Sequence, residues 1–145
     1  MSTVAQLLKH KGAEVLRAPA TATVYECIAE MVSHGAGSIV IVNPDDEMVG
    51  IFTERDYLRR IALEGRSSKK TPVTEVMTRE VVWVDPHYTV DECMAVMTKQ
   101  KIRHLPVMEN RHLVGVISIG DCVRHHSEEA EARVQFLSDY IAGQY

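Results

Sequence analysis

An internal duplication constrains this chain more than any other feature. Displacing the 145-residue sequence by 66 positions sets Thr23, Val24, Glu26, Cys27, Ala29 and Met31 on Thr89, Val90, Glu92, Cys93, Ala95 and Met97. Further along, at a shift of 65, Gly50, Thr53 and Asp56 fall on Gly115, Ser118 and Asp121. A unit of about 65 residues used twice points to two like modules that cover each other's hydrophobic faces.

The plan within each copy follows from caps and periodicity. Thr23 with Glu26, and Thr89 with Glu92, fit the T-x-x-E capping box that opens a helix. Val24, Cys27, Ile28, Met31 and Val32, then Val90, Cys93, Met94 and Met97, recur at helical spacing as one buried stripe. Two short apolar runs follow each helix. They are 38–42 and 48–52 around the turn composition of 43–46, then 104–108 and 112–117 around 109–111. Pro106 lacks an N–H, so its strand is expected at an edge or to end early. Closing helices are expected at 54–63 and 119–126, and leading strands at 14–16 and 80–84. The fold class is therefore mixed α/β (α+β), a tandem β-α-β-β-α repeat. The expected division is an N-terminal helix at 1–10, repeat one at 11–65, a linker at 66–72, repeat two at 73–126 and a C-terminal helix at 127–145.

Composition excludes several functions. With 46% hydrophobic and 25% charged residues, the chain reads as an ordinary globular protein. A net charge of −4 and a pI near 6.0 argue against nucleic acid as the main ligand, and the basic cluster 66–70 reads first as a solvated linker. Cys27, Cys93 and Cys122 stand in apolar contexts without metal-site spacing and read as core. No apolar run reaches the roughly 18 residues of a membrane span. The expectation is a soluble protein of a reducing compartment, cytoplasmic by default, or of an organelle if a transit peptide has been removed. No nucleophile–base pair or metal cluster presents itself, so no enzyme is expected.

The pattern G-x-x-[ST]-x-x-D at the last strand–helix junction of each copy is where chemistry could sit. A helix N-terminus offers unpaired N–H groups to a phosphate, and a carboxylate can grip two ribose hydroxyls. Arg55 adds a cation in the first copy. The same residues also serve as S/T-x-x-D helix caps with no ligand, and both readings stand. Arg103 and His104 place two donors at the mouth of an apolar strand, where plain surface charge is the alternative.

At Gly50-Ile51-Phe52-Thr53-Glu54-Arg55-Asp56, Thr74-Glu75-Val76-Met77-Thr78, Ile102-Arg103-His104-Leu105-Pro106-Val107 and Gly115-Val116-Ile117-Ser118-Ile119-Gly120-Asp121, the sequence resembles the CBS-domain family. The resemblance covers residues 11–126. It implies a pseudo-twofold CBS pair, a disc-like homodimer, and two crossed clefts for adenosine compounds such as AMP, ADP, ATP, NAD or S-adenosylmethionine. The first cleft would combine Ile51, Thr53, Arg55 and Asp56 with Thr78, Val82, Ile102, Arg103 and His104. The second would combine Val116, Ser118, Gly120 and Asp121 with Lys11, Gly12, Leu16, Gly37 and Ser38. Gly37-Ser38 stands where the other copy has Arg103-His104, which leaves phosphate affinity there to Lys11 or to a neighbouring subunit. The implied role is an energy or redox sensor acting on a partner protein in trans; a ligand-free dimerisation scaffold is the alternative.

Overall fold

The computed structural model describes residues 1–12 and 14–142; the end of the expected C-terminal element, 143–145, lies outside them. The chain runs α1 (Val4–Lys11), β1 (Arg17–Pro19), α2 (Val24–His34), β2 (Ser38–Val42), β3 (Met48–Thr53) and α3 (Glu54–Tyr57), which passes into a π-helical turn at Leu58–Ala62. After a short 3-10 turn at Val73–Glu75 come α4 (Val90–Gln100), β4 (His104–Glu109), β5 (His112–Ser118) and α5 (Ile119–Ile141).

Both predicted capping boxes form. The Thr23 and Thr89 hydroxyls accept the N–H groups of Glu26 and Glu92 at 3.2 and 3.0 Å, and each glutamate accepts its threonine's N–H at 3.0 Å. Of the expected stripes, Val24, Cys27, Met31 and Val90, Cys93, Met97 are buried and Ile28 and Met94 half-buried, whereas Val32, in the last turn of α2, faces solvent. Each helix therefore lays its apolar face on the sheet of its own half.

The sheets differ between halves. In the first, β1 runs parallel to β2 and β2 antiparallel to β3; in the second, among the described residues, the sheet is the pair β4 and β5. The leading strand, expected at 14–16, starts at Arg17, because the ladder opens with the Val40 N–H on the Leu16 carbonyl at 3.0 Å. The strand expected at 80–84 shrinks to one bridge, Val84 to Val107. Two prolines account for this. Ala20 donates to the Val42 carbonyl in the first half, and its counterpart Pro86 has no N–H to donate. Val40 donates to Leu16, and its counterpart Pro106 cannot donate either. What survives is the pair of bonds at Val84, with Pro106 accepting its N–H at 3.1 Å and Met108 donating to its carbonyl at 2.9 Å. Pro106 thus turns its missing donor to the outer edge of a two-stranded sheet. The strand does not end early but continues to Glu109.

The helices expected separately at 119–126 and 127–145 are one continuous helix, α5, described to Ile141. Its end exposes Val134, Leu137 and Ile141. The helix expected at 54–63 changes form midway, with the Leu63 N–H on the Leu58 carbonyl at 3.1 Å in the π register.

Each half's core is completed by the segment that precedes the other half. Val4, Leu7 and Leu8 of α1 are buried in the second core, among Val90, Cys93, Leu105 and Ile117. Val73, Val76 and Met77, with the same spacing, are buried in the first core among Val24, Cys27, Ile39 and Phe52. Backbone bonds match as well. Val90 donates to Ser2 and Val4 to Tyr88, as Val24 donates to Thr71 and Val73 to Ala22, at 2.8–3.0 Å. Glycine permits the contact in both places: a Cβ on Gly50 would lie 2.5 Å from Met77 Sδ, and one on Gly115 would lie 2.8 Å from a Leu8 methyl.

Leu7→Ala is expected to destabilise the whole protein by about 2–5 kcal/mol, read from chemical denaturation, because it empties the second core although it lies at the far N-terminus. A stabilising change is expected at the end of α4, where Lys101 takes the left-handed cap (φ 57°) that Gly35 takes after α2 (φ 61°). Lys101→Gly should raise stability by about 1 kcal/mol in the same assay.

Candidate functional site

In each half the last strand delivers a hydroxyl cap and a buried carboxylate to the start of the last helix. Thr53 Oγ1 accepts the Asp56 N–H at 3.2 Å, and Asp56 Oδ2 accepts the Thr53 N–H at 3.0 Å. Ser118 Oγ accepts the Asp121 N–H at 3.1 Å, and Asp121 Oδ2 accepts the Ser118 N–H at 2.8 Å. Asp56 and Asp121 are only 7% and 8% exposed. Capping is therefore real in both copies, and the two readings of the motif are compatible.

The first junction is crossed by the chain leading into the second half. Ile51 and Thr78 exchange backbone bonds at 2.9 and 2.8 Å, and Thr78 Oγ1 donates to Asp56 Oδ1 at 3.1 Å. Ile51, Thr53, Asp56 and Thr78 are thus brought together. Arg55 reaches the other half but not by way of the carboxylate, because its Nη1 donates to the Lys101 carbonyl at 2.5 Å and caps the negative end of α4. Val82 and Ile102 pack half-buried on the second core. Arg103 is exposed, and its carbonyl accepts the Ile119 N–H at 2.8 Å.

His104 lies at the junction of the halves. A Cβ on Gly37 would stand 3.0 Å from His104 Nε2 and 2.5 Å from Glu54 Oε1, so the missing side chain at Gly37 makes room for both. Burial pushes the imidazole below its ordinary range, opposed by Glu54 and Asp121 and reinforced by Lys11 and Arg103. Near neutral pH His104 is a neutral donor and acceptor rather than a cation.

At the second junction Lys11, the last residue of α1, donates from Nζ to the Val116 carbonyl at 2.5 Å and to Asp121 Oδ2 at 2.6 Å. Arg124 Nη2 donates to Asp121 Oδ1 at 2.9 Å. Burial works to raise the Asp121 carboxyl, but the bonds from Lys11 and Ser118 outweigh it and hold the group below the usual carboxylate range. Gly12 ends α1 with its N–H on the Leu8 carbonyl at 2.8 Å, and Gly120 is exposed in the first turn of α5. Ser38 is buried at the start of β2, and Leu16 packs half-buried on the first core. Glu54 and Arg124 were not singled out from the sequence. Arg124 was findable, since a cation three residues after a helical aspartate faces it.

The chain belongs to the CBS domain family, which it matches over residues 4–63 and 73–128. It is 39% identical over 152 aligned residues to the mitochondrial CBS domain-containing protein CBSX3 of Arabidopsis thaliana, covering 99% of this chain and 74% of the relative. A CBS-domain protein from Burkholderia ambifaria superposes with a TM-score of 0.81 at 44% identity, covering 86% of this chain and 93% of that one. The same fold, at 24% identity and a TM-score of 0.78, is seen in a CBS domain pair solved in complex with 5-methylthioadenosine and S-adenosyl-L-methionine, covering 89% of this chain and 98% of that one. The protein is a CBS pair, a module of regulatory class.

Because the folded-state pKa of His104 is depressed, the unfolded chain binds more protons once the pH drops below the ordinary histidine value of 6.5. Its contribution to stability is expected in full above that value and to be lost as pH falls through the lower folded-state pKa. Urea midpoints measured from pH 7.5 downward should show this slope, and His104→Gln should flatten it.

Proposed function

We propose that the first cleft binds an adenine nucleotide, AMP, ADP, ATP or NAD, and that the protein uses it to report energy or redox state to a partner protein in trans. The observation that carries this reading is the state of Asp56. Its carboxylate is buried, and its hydrogen-bond partners are the neutral donors Thr53 and Thr78. A desolvated carboxylate with neutral partners is costly, and two vicinal ribose hydroxyls would supply it with further donors. Arg103 and His104, donors from the other half, suit a phosphate. The relative crystallised with two adenosine compounds supports the ligand class.

The reading is of a non-catalytic module. Burial pushes the thiols of Cys27 and Cys122 up to about 11 and that of Cys93 to about 12, which removes them as nucleophiles near neutral pH. A homodimer belongs to the same proposal, supported by Val32, Leu58 and Val123, large apolar side chains 76%, 59% and 52% exposed on the closing helices and their neighbours. A reducing aqueous compartment, cytoplasm or organelle matrix, fits three unpaired cysteines and a relative named as mitochondrial. Among the described residues no helix is long and apolar enough to cross a membrane.

A nucleotide at a hundred times its Kd should stabilise the protein by about 2.7 kcal/mol through linkage. Thermal unfolding with AMP, ADP, ATP and NAD in turn is expected to find at least one that raises the Tm, and Asp56→Asn should abolish the part due to the first cleft. No shift and no calorimetric heat with any of the four would overturn the sensing role and leave a dimerisation scaffold.

A further inference from the structure

The two buried carboxylates keep different company. Asp56 is held by hydroxyl and amide donors. Asp121 stands between two cations, with Lys11 Nζ 2.6 Å from one oxygen and Arg124 Nη2 2.9 Å from the other. Lys11 also occupies the place that a backbone fills in the first half. There the Ile51 carbonyl takes the Thr78 N–H, whereas the equivalent Val116 carbonyl takes the Lys11 ammonium. An ammonium on the tip of α1 therefore ties β5 and α5 together at the point where a ribose would have to arrive.

The space around this contact carries charges of both signs. A cavity of roughly 440 Å³ opens between α1 and α5, lined by His10, Lys11, Asp121, Arg124, His125 and Glu128, together with Leu7. His125 Nε2 is buried without a hydrogen-bond partner among the described residues, with Glu129 Oε1 at 3.7 Å, and the His10 ring stands edge-on to it with centroids 6.0 Å apart. Arg124 is two-thirds exposed, so it can turn toward a ligand without leaving a desolvated group behind.

We propose that Lys11 is a displaceable latch on the second cleft, and that it makes this cleft select phosphate-bearing nucleotides over uncharged nucleosides. The inference rests on the nucleotide reading of the first cleft, extended to its counterpart. For ribose hydroxyls to reach Asp121, the ammonium must leave its carboxylate. An uncharged nucleoside offers Lys11 nothing in return, so its binding bears the full loss of a charge-assisted bond. A phosphate gives the ammonium a new anion within the same cavity, and the exchange of partners is close to even. The first cleft has no such filter, because the Thr78 hydroxyl that covers Asp56 only has to rotate.

The test uses the full chain carrying Asp56→Asn, so that the second cleft is read alone, with AMP and adenosine as probes in calorimetry. Without a further change, AMP is expected to bind and adenosine to bind much more weakly. Adding Lys11→Met should tighten adenosine and weaken AMP, collapsing the preference by on the order of tenfold, the size of one charge-assisted hydrogen bond. Lys11→Arg should restore the preference, and Lys9→Met, an equal loss of charge on the same helix, should leave it unchanged. An AMP-to-adenosine ratio untouched by Lys11→Met would overturn the latch while the nucleotide reading stands. Failure of both compounds to bind any variant, the unmutated chain included, would overturn the nucleotide reading and the selectivity with it.

Discussion

Burial of Val4, Leu7 and Leu8 in the second core, and of Val73, Val76 and Met77 in the first, is the contact on which the rest of the molecule depends. Neither half closes its own core, so neither can shed its partner without exposing apolar surface to water. The reciprocal insertion also sets the clefts. The segment that seals the first core runs on from Met77 to Thr78 and so arrives at Ile51 and Asp56. The helix that seals the second core runs on from Leu8 to Lys11 and so arrives at Val116 and Asp121. The residues that seal a core and those that meet the buried carboxylate are consecutive along one strap.

The two straps end differently, and the difference is chemical. An extended segment presents backbone and a threonine hydroxyl, both neutral. A helix carried one turn further presents the ammonium of its last residue. Two buried carboxylates in nearly identical frames are thereby given opposite surroundings, one held by neutral donors and one paired with charge. Duplication supplied the frame, and divergence in the straps made the sites unequal.

Much of the frame was legible from the residues. The capping boxes at Thr23 and Thr89 and the stripes that follow them were readable because they are local: a cap and the turn it serves lie within four residues. The hydroxyl–carboxylate junctions at Thr53 and Asp56 and at Ser118 and Asp121 were equally local. The unequal sheets were readable in principle, since Pro86 and Pro106 stand where the other copy donates to the ladder, but only once strand register showed which donors matter. Both parts of α5 were expected as helix, but not that they run on as one, because the exposed second half carries no buried stripe in phase with the first.

The sequence by itself determined the duplication, the helix starts, the strand pairs and the two buried carboxylates, because each is written in neighbouring residues and in their repetition. Only the tertiary structure decided which strap seals which core, that Arg55 serves the end of α4 rather than the cleft, that His104 stands against Gly37 and Glu54, and that Lys11 reaches Asp121 from the tip of α1. Those are contacts between residues from about 46 to 110 positions apart. Such pairs are set by where packed elements bring their ends, which no local pattern of residues encodes.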